Sequence, residues 1–332
     1  MTTTAKPQLP AVPGPKLAPF TPTAHANVKF LENLGHAKDK DGFVWKVEIE
    51  DKGTFALKLF PFMHWVTLRD SWAVYLARPL QTSQLYYDYL SPFNAECRAY
   101  GRLKQENRED LAVKAFGYLD LTPEQEADIT QRMLDDGWES ESLSDDDEET
   151  DPSLGHPMWN RYKYDRDQPI KAIVKELVVD EDGGSAVGFT PDDISQMWED
   201  LQGLQRLGIL VRDIHLRNYV AAKLVDFGRA WTMFHPCLDQ IHPYYLKRER
   251  EADLFAFQEL LIDYWYNEEV ATELEWPKGY TEARDDVEKF GIDPRDYDWR
   301  KWEESREDAD AYVALGLYGD KKPWDSDDEA ED

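Results

Sequence analysis

The first regular pattern along the chain is an alternation of apolar and polar residues between Phe43 and Ile49. Every second residue there is apolar, which is typical of a β-strand with one buried face. Turn-forming residues follow at 50–53, and a second apolar run begins at Phe55. Two such runs around a glycine-containing turn predict a β-hairpin over residues 43–60.

Two further apolar runs, at 113–121 and 171–179, predict strands of the same sheet. Apolar residues then return at helical spacing. The clearest helix runs from Thr190 to Leu207, because Thr190 can cap its first turn and Gly208 can end it. A shorter helix is predicted over 92–103, and a buried helix over 251–264.

The charge of the chain is strongly negative but unevenly distributed. The 332 residues carry a formal net charge of −29. Ten acidic residues lie between Asp135 and Asp151 without any Lys or Arg, and six more lie between Asp325 and Asp332. The remainder carries −13, which fits an ordinary soluble domain and argues against general binding to nucleic acid or to an anionic membrane.

Cysteine content and hydropathy indicate the compartment. Cys97 and Cys237 are the two cysteines of the chain, so neither a disulfide framework nor a zinc site is expected, and a reducing compartment fits. The sequence has no run of 18 apolar residues and no hydrophobic signal core near its start. We therefore expect an intracellular protein, nuclear or cytoplasmic.

The strongest candidate chemistry lies between Gly208 and Trp231, in the sequence GILVRDIHLRNYVAAKLVDFGRAW. It contains the pair Arg212-Asp213, an asparagine five residues after that aspartate, and then Asp-Phe-Gly from Asp226. Short apolar runs between these groups predict a loop between short strands. Three oxygen ligands close together can hold a divalent cation, although each such residue alone is more often a turn former.

This combination resembles the catalytic loop and the metal-binding motif of the protein-kinase superfamily. The resemblance implies that Asp213 accepts the proton of a hydroxyl acceptor, with Arg212 beside it as a catalytic residue. It also implies that Asn218 and Asp226 hold Mg²⁺ on ATP. ATP and Mg²⁺ are therefore the expected cofactors.

The same resemblance extends to the first half of the chain and to one later helix. Lys58 in Phe-Ala-Leu-Lys matches the strand lysine that reaches the nucleotide phosphates, and Glu96 is its expected partner from the 92–103 helix. Asp253 resembles the aspartate that supports the backbone of the catalytic loop. The residues expected to bind the nucleotide are Gly35, Gly42, Val44, Lys58, Glu176 and Val178.

Three features depart from the kinase pattern. Gly35 and Gly42 flank a charged HAKDKD insertion, so the three-glycine spacing of a phosphate-binding loop is missing. Val211 stands where a histidine usually precedes the Arg-Asp pair, and His215 stands where a lysine usually contacts the transferred phosphate. These departures affect the expected rate and substrate class more than ATP binding.

The kinase resemblance implies an α+β fold with two lobes, a small β-rich N-lobe and an abbreviated helical C-lobe. A disordered proline-rich arm is expected at 1–26 and an acidic tail at 319–332. The N-lobe is expected at 27–178 and the C-lobe at 179–318. Within the N-lobe we expect an aromatic insert at 61–92 and a disordered acidic loop at 123–168.

A closer resemblance covers residues 28–265. The order FALKLF, a long insert, ECRAYGRL, IVKEL, RDIHLRNY and LVDFGRAW is similar to the fungal Fta-type kinetochore-subunit family of divergent kinase-like proteins. That resemblance implies a fungal nuclear protein that acts as a centromere scaffold.

Three functional hypotheses follow. The first is ATP-dependent phosphoryl transfer to a Ser or Thr hydroxyl. The second is a nucleotide-binding or inert pseudokinase scaffold of a fungal kinetochore-type complex, favoured by the degenerate glycine loop and by Val211. The third is a kinase for a small metabolite, favoured by the short C-lobe. The expected partners are a protein substrate or complex subunits, without direct contact to nucleic acid or membrane.

Overall fold

The computed structural model describes residues 9, 12–21, 27–35, 42–76, 78–138, 152–178, 189–267, 276–302 and 307. The chain divides into two compact units. The first unit comprises Met1–Leu9, Leu17–Thr67 and Lys114–Leu177, and the second comprises Pro10–Lys16, Leu68–Val113 and Val178–Asp332. This division differs from the predicted N-lobe at 27–178, because residues 68–113 belong to the second unit.

The described residues contain both strands and helices, so the expected α+β class is confirmed. The strands are β1 Val28–Asn33, β2 Phe43–Ile49, β3 Gly53–Phe60, β4 Ala115–Asp120, β5 Lys171–Lys175, β6 Ile209–Leu210, β7 Tyr219–Val220, β8 Lys223–Leu224 and β9 Trp231–Thr232. The helices are α1 Trp65–Trp72, α2 Ser83–Leu90, α3 Pro92–Gln105, α4 Pro123–Asp135, α5 Pro191–Arg206, α6 Pro236–Gln240, α7 Pro243–Asn267, α8 Tyr280–Asp285 and α9 Val287–Phe290.

The first unit is built on an antiparallel sheet with the strand order β1-β2-β3-β5-β4. The predicted hairpin is confirmed as β2 and β3, with Phe43 opposite Leu59 and Ile49 opposite Gly53. Alternate residues of β2 are buried, as the sequence pattern predicted. The strands predicted at 113–121 and 171–179 are β4 and β5.

The prediction of a disordered acidic loop at 123–168 is wrong for the residues that the structure describes. Helix α4 starts at a capping box formed by Thr122 and Gln125, and Ile129 and Met133 on one of its faces are buried. Trp159 is completely buried and donates from Nε1 to the hydroxyl of Thr130 at 2.8 Å. The amphipathic spacing of α4 and this tryptophan supply the apolar surface that outweighs the acidic composition. Residues 139–151 lie outside the described part of the chain.

The expected disordered arm at 1–26 is also corrected in part. Leu17 and Phe20 are buried, and the backbone next to Pro19 pairs in parallel with β4. The amide of Phe20 donates to the carbonyl oxygen of Tyr118 at 2.7 Å. Gly117 permits this approach, because a Cβ there would lie 2.5 Å from the amide nitrogen of Phe20. Residues 1–8, 10, 11 and 22–26 are outside the described residues.

In the second unit, α5 has the predicted start and end. The hydroxyl of Thr190 accepts from the amide of Asp193 at 3.2 Å, and the Asp193 carboxylate accepts from the amide of Thr190 at 2.8 Å. Gly208 follows the helix with a φ of +75°, a left-handed conformation that suits glycine. The helix therefore delivers the chain directly to β6 and to the loop after it.

Helix α3 is confirmed and is buried along most of its length. Its two arginines, Arg98 and Arg102, donate to backbone carbonyl oxygens at Leu207 and at 232–234. Carbonyl oxygens can satisfy guanidinium donors away from water. The helix thus fixes the end of α5 and strand β9 within the second unit.

Helix α7 begins before the predicted start at residue 251 and is longer than predicted. It was expected to be a buried helix, but it is buried on one side only. Leu254 and Phe257 are buried, whereas Phe255 is 53% exposed. The sequence did not reveal that the side with Phe255 is exposed, because apolar residues lie on both sides of the helix. Within the described residues, no helix is both long and apolar enough to cross a membrane.

We predict that Gly117→Ala destabilises the first unit, because the added methyl group would overlap the backbone of Phe20. Overpacking of this kind costs about 1–3 kcal/mol. Chemical denaturation of wild type and variant measures the loss. In a chain that lacks residues 1–20, the same substitution should cost almost nothing, since its neighbour is gone. An equal loss in both chains would contradict the packing of this segment against β4.

Candidate functional site

The loop between β6 and β7 contains three of the residues that the sequence singled out, Arg212, Asp213 and Asn218. Asn218 is buried, and its side-chain amide donates to the carbonyl oxygen of Asp213 at 2.8 Å and to the carboxylate of Asp213 at 3.1 Å. Two hydrogen bonds from one amide close the loop on itself. The structure therefore brings Asp213 and Asn218 into direct contact.

A tight hairpin of β7 and β8 leads from Asn218 to Asp226. The two residues at its tip, Ala221 and Ala222, have φ values of 45° and 59°. Positive φ at both central positions is the geometry of a type I′ turn, which is usually made by Asn and Gly. The amide of Val225 donates to the carbonyl oxygen of Asn218 at 2.9 Å, which fixes the strand that precedes Asp226.

Asp226 and Phe227 lie against helix α3. The carboxylate of Asp226 accepts from the amide of Gly228 at 2.7 Å, and the ring of Phe227 packs edge-on against Tyr100 with centroids 5.1 Å apart. Burial, and then the negative charges of Glu96 and Asp226, hold the pKa of Tyr100 well above its ordinary value. The predicted residues Glu96 and Asp226 are thus both close to one buried tyrosine.

The electrostatics of Asp213 do not favour a strong base. Burial acts to raise the pKa of the Asp213 carboxyl, but the hydrogen bond and charge of His215, followed by the charge of Arg229, outweigh it and lower that pKa. The Nε2 atom of His215 lies 3.4 Å from the carboxylate. Arg217 donates to the same nitrogen at 3.1 Å. The Nε2 atom of His215 can donate to Asp213 when it carries a proton and can accept from Arg217 when it does not, so the two hydrogen bonds are alternatives.

Arg212 does not contribute a free cation to this loop, because its side chain is held by a set of groups that we call the arginine frame. Its guanidinium pairs with Glu249 at 2.7 Å, and its amide donates to the buried carboxylate of Asp253 at 2.9 Å. The ring centroids of Trp231, Trp72 and Tyr75 lie 3.7, 4.2 and 5.0 Å from the guanidinium carbon.

The frame explains an unusual backbone conformation. Arg212 has a φ of 67°, which is uncommon for a residue with a side chain. Such a conformation persists where the surroundings determine it. The predicted support of the loop backbone by Asp253 is confirmed. The assignment of Arg212 as a catalytic residue stays a prediction, and its contacts are those of a residue that positions the loop.

Sequence reasoning missed Glu249 and the aromatic members of the frame. Glu249 lies four residues before Asp253 on the same helix, so both side chains reach the same side of α7. That spacing was a usable signal, because a buried arginine needs a carboxylate partner. No sequence signal identifies Trp72 and Tyr75, which come from the predicted aromatic insert.

Two of the predicted nucleotide-binding residues of the first unit, Gly42 and Val44, lie next to Lys58. Lys58 is buried on β3 and lies opposite Val44 on β2. A Cβ on Gly42 would lie 3.0 Å from Cε of Lys58, so glycine permits this close approach. The amide of Gly35 donates to the side chain of Asn33 at 3.0 Å. The structure therefore groups Gly42, Val44 and Lys58 at the β2–β3 pair.

The remaining predicted residues lie at the end of β5 and in the second unit. The amide of Glu176 donates to the carbonyl oxygen of Lys114 at 2.8 Å, and Val178 is half-buried two residues later. Glu96 is fully buried in the second unit, whereas Lys58 belongs to the first. The pairing of Lys58 with Glu96 stays a prediction.

The assignment of Asn218 and Asp226 as metal ligands likewise stays a prediction. Among the residues that the structure describes, no group of three or more His, Cys, Asp or Glu side chains has the arrangement of a metal site.

Comparison with protein-family models finds a match over most of the chain. The family model described as kinetochore Sim4 complex subunit FTA2 matches residues 5–231. The match includes the sheet of the first unit and the loop from Arg212 to Asp226. No curated protein matches the sequence.

The frame carries a pH dependence through Asp253. Burial dominates over the charge of Arg212 and the hydrogen bonds from the loop amides, and it raises the pKa of Asp253 to about 7. An aspartate in an unfolded chain has a pKa of about 3.9. Between these values the folded chain holds a proton that the unfolded chain has lost, so stability falls as pH rises through this window.

We predict that Asp253→Asn flattens this dependence, because asparagine cannot ionise and can still accept the amide of Arg212. Thermal unfolding between pH 4 and pH 8 measures the effect, which is on the order of a few kcal/mol at most. The control variant Asp285→Asn, at an exposed aspartate, should keep the wild-type dependence. If Asp253→Asn and wild type lose stability equally across this range, Asp253 is not the titrating group.

Proposed function

The chain belongs to the family of kinetochore Sim4 complex subunit FTA2, and on this premise we propose that it is a nuclear protein that works as a protein-binding subunit of a kinetochore complex. The family match over residues 5–231 carries the proposal. The net charge of −29 supports binding to protein partners rather than directly to DNA.

The proposed fold within this family is a divergent protein-kinase-like one with two lobes. Lys58 on β3 of an antiparallel sheet, the buried Glu96 on α3, and the loop with Asp213, Asn218 and Asp226 support it. These are the elements on which kinases carry the corresponding residues.

The contacts of the loop support a scaffold more than an efficient kinase. A general base works best when its pKa lies near the operating pH, whereas the pKa of Asp213 is lowered. Arg212 is held by Glu249 and Asp253, and Asp213 is hydrogen-bonded to Asn218. Each of these polar groups has its partner within the same chain, so the loop has a defined shape of its own.

A second candidate function, binding of Mg-ATP with phosphoryl transfer to a hydroxyl, is favoured by the donor set. Asn218 offers an amide oxygen and Asp226 a carboxylate, and hard oxygen ligands suit Mg²⁺. The charge of Asp226 acts to raise the pKa of Asp213, which indicates repulsion between two nearby carboxylates. A bound cation would supply charge neutralisation there. Asp213 would orient the acceptor hydroxyl and take its proton.

The scaffold proposal predicts that the tagged chain, purified from cells of the source organism, brings the other subunits of a kinetochore complex with it. Asp213→Asn should copurify the same subunits in the same amounts, because asparagine can keep the contact with Asn218 through its amide oxygen. Quantitative mass spectrometry of the two purifications makes the comparison. A chain that purifies without kinetochore subunits would contradict the proposal.

The second candidate predicts that Mg-ATP raises the melting temperature. A ligand at 100 times its dissociation constant stabilises the folded state by about 2.7 kcal/mol. Asp226→Asn should abolish the part of the shift that depends on magnesium, whereas Asp285→Asn, an exposed aspartate, should leave it unchanged. The absence of any shift at millimolar Mg-ATP would eliminate this candidate and leave the scaffold.

A further inference from the structure

The outward side of α7 carries a regular set of residues that we call the outer ridge. Their spacing of three, four, three, four and three residues places them on one side of the helix, as in the a and d positions of a coiled coil. The four central members are exposed and the two at the ends are half-buried. The outer ridge consists of Tyr245, Arg248, Ala252, Phe255, Glu259 and Ile262.

The opposite side of α7 packs into the core of the second unit. Leu246, Leu254, Phe257 and Leu261 are all buried there. Phe255, at the middle of the outer ridge, is 53% exposed. A single exposed phenylalanine is common on protein surfaces. Phe255, however, lies within a regular ridge that also carries the cation of Arg248 and the anion of Glu259. This arrangement points to a partner.

The outer ridge is complementary to itself when it is reversed. Arg248 and Glu259 lie at equal distances, in residues, from the point midway between Asp253 and Leu254. The pair Ala252 and Phe255 and the pair Tyr245 and Ile262 have the same midpoint. Consider a second copy of α7 that runs antiparallel to the first and is related to it by a two-fold axis through that point. Across the axis, Arg248 then faces Glu259, Ala252 faces Phe255, and Tyr245 faces Ile262.

Each of these pairings is favourable in charge or in size. Arg248 of one copy faces Glu259 of the other, and the symmetry makes this ion pair twice. Phe255 faces Ala252, so a large side chain meets a small one, as knobs meet holes in packed helices. The outermost pair sets an aromatic ring against an aliphatic side chain.

We propose that the outer ridge of α7 is an isologous interface through which two copies of this chain form an antiparallel dimer. A second copy is favoured over an unrelated partner helix because the side chains of the outer ridge are complementary in charge and size to the same side chains taken in reverse order. The proposal is independent of nucleotide binding and of the kinetochore assignment.

The dimer should be weak and dependent on concentration. The ridge from Tyr245 to Ile262 is about 26 Å long at 1.5 Å per residue. A single helix pair of that length buries less surface than a typical stable interface. Sedimentation of the full chain across a wide concentration range should therefore show a reversible equilibrium between monomer and dimer.

Charge reversal provides the sharpest test. Arg248→Glu alone places Glu opposite Glu259, and Glu259→Arg alone places Arg opposite Arg248, so each variant should dimerise at least about tenfold more weakly than wild type. Mixing the two single variants restores an opposite-charge pair at both positions. The mixture should therefore form heterodimers near wild-type strength, and the double variant should form homodimers again.

Two further variants separate this contact from general surface effects. Phe255→Ala should weaken the dimer, whereas Phe290→Ala, at a similarly exposed phenylalanine, should not. Unfolding curves like that of wild type show that the charge variants are folded, as expected for surface changes. Wild type that stays monomeric at the highest concentration, single variants that dimerise like wild type, or a mixture that fails to dimerise would each overturn the proposal. Binding of the ridge to a helix of a different subunit by a monomeric wild type would overturn it too.

Discussion

The loop that carries Asp213 depends on how the guanidinium of Arg212 is held. The residue has a left-handed backbone conformation, which costs on the order of 1–3 kcal/mol and needs compensation from its surroundings. Glu249 neutralises the charge, Asp253 accepts the backbone amide, and three aromatic rings enclose the planar group. Cation–π contacts are stronger away from water, so this enclosure adds to the ion pair.

The arginine frame explains how the loop from Arg212 to Asn218 can serve a structural role. The same helix, α7, supplies both Glu249 and Asp253. Asn218, which precedes α7 in the chain, closes the loop on Asp213 through its side-chain amide. The shape of the loop thus follows from contacts within the second unit. A loop of defined shape would give a subunit of a kinetochore complex a fixed surface.

The elements with strong local signals were predictable from the sequence. The alternation in 43–60 gave the hairpin because one face of β2 is buried, and Thr190 with Asp193 gave the start of α5 because a capping box is a local interaction. Amino-acid composition gave wrong predictions of disorder where a few buried apolar side chains stabilise a segment that is rich in charges or in proline. Trp159 and helix α4 lie in a region judged disordered, and Leu17 and Phe20 anchor a proline-rich segment to the sheet.

The site was predictable as a set of residues and much less as a set of contacts. The resemblance to kinase motifs singled out Asp213, Asn218 and Asp226, and it suggested Asp253 as the residue that supports the loop. It did not reveal that Arg212 is enclosed, because Trp72 and Tyr75 are far from it in sequence and their contact depends on tertiary packing. Nor did it reveal the exposed ridge of α7, since burial of one face is a property of the folded unit.

The most direct test of this account replaces the native chain in cells by either Asp213→Asn or Arg212→Met and measures its position and chromosome segregation. Asp213→Asn keeps the loop, so it should localise to kinetochores and support segregation as wild type does. Arg212→Met removes the cation that pairs with the half-buried Glu249 and that the three aromatic rings enclose, and should abolish both. If Asp213→Asn folds and localises normally but fails to support segregation, the function is catalytic and the scaffold account is wrong.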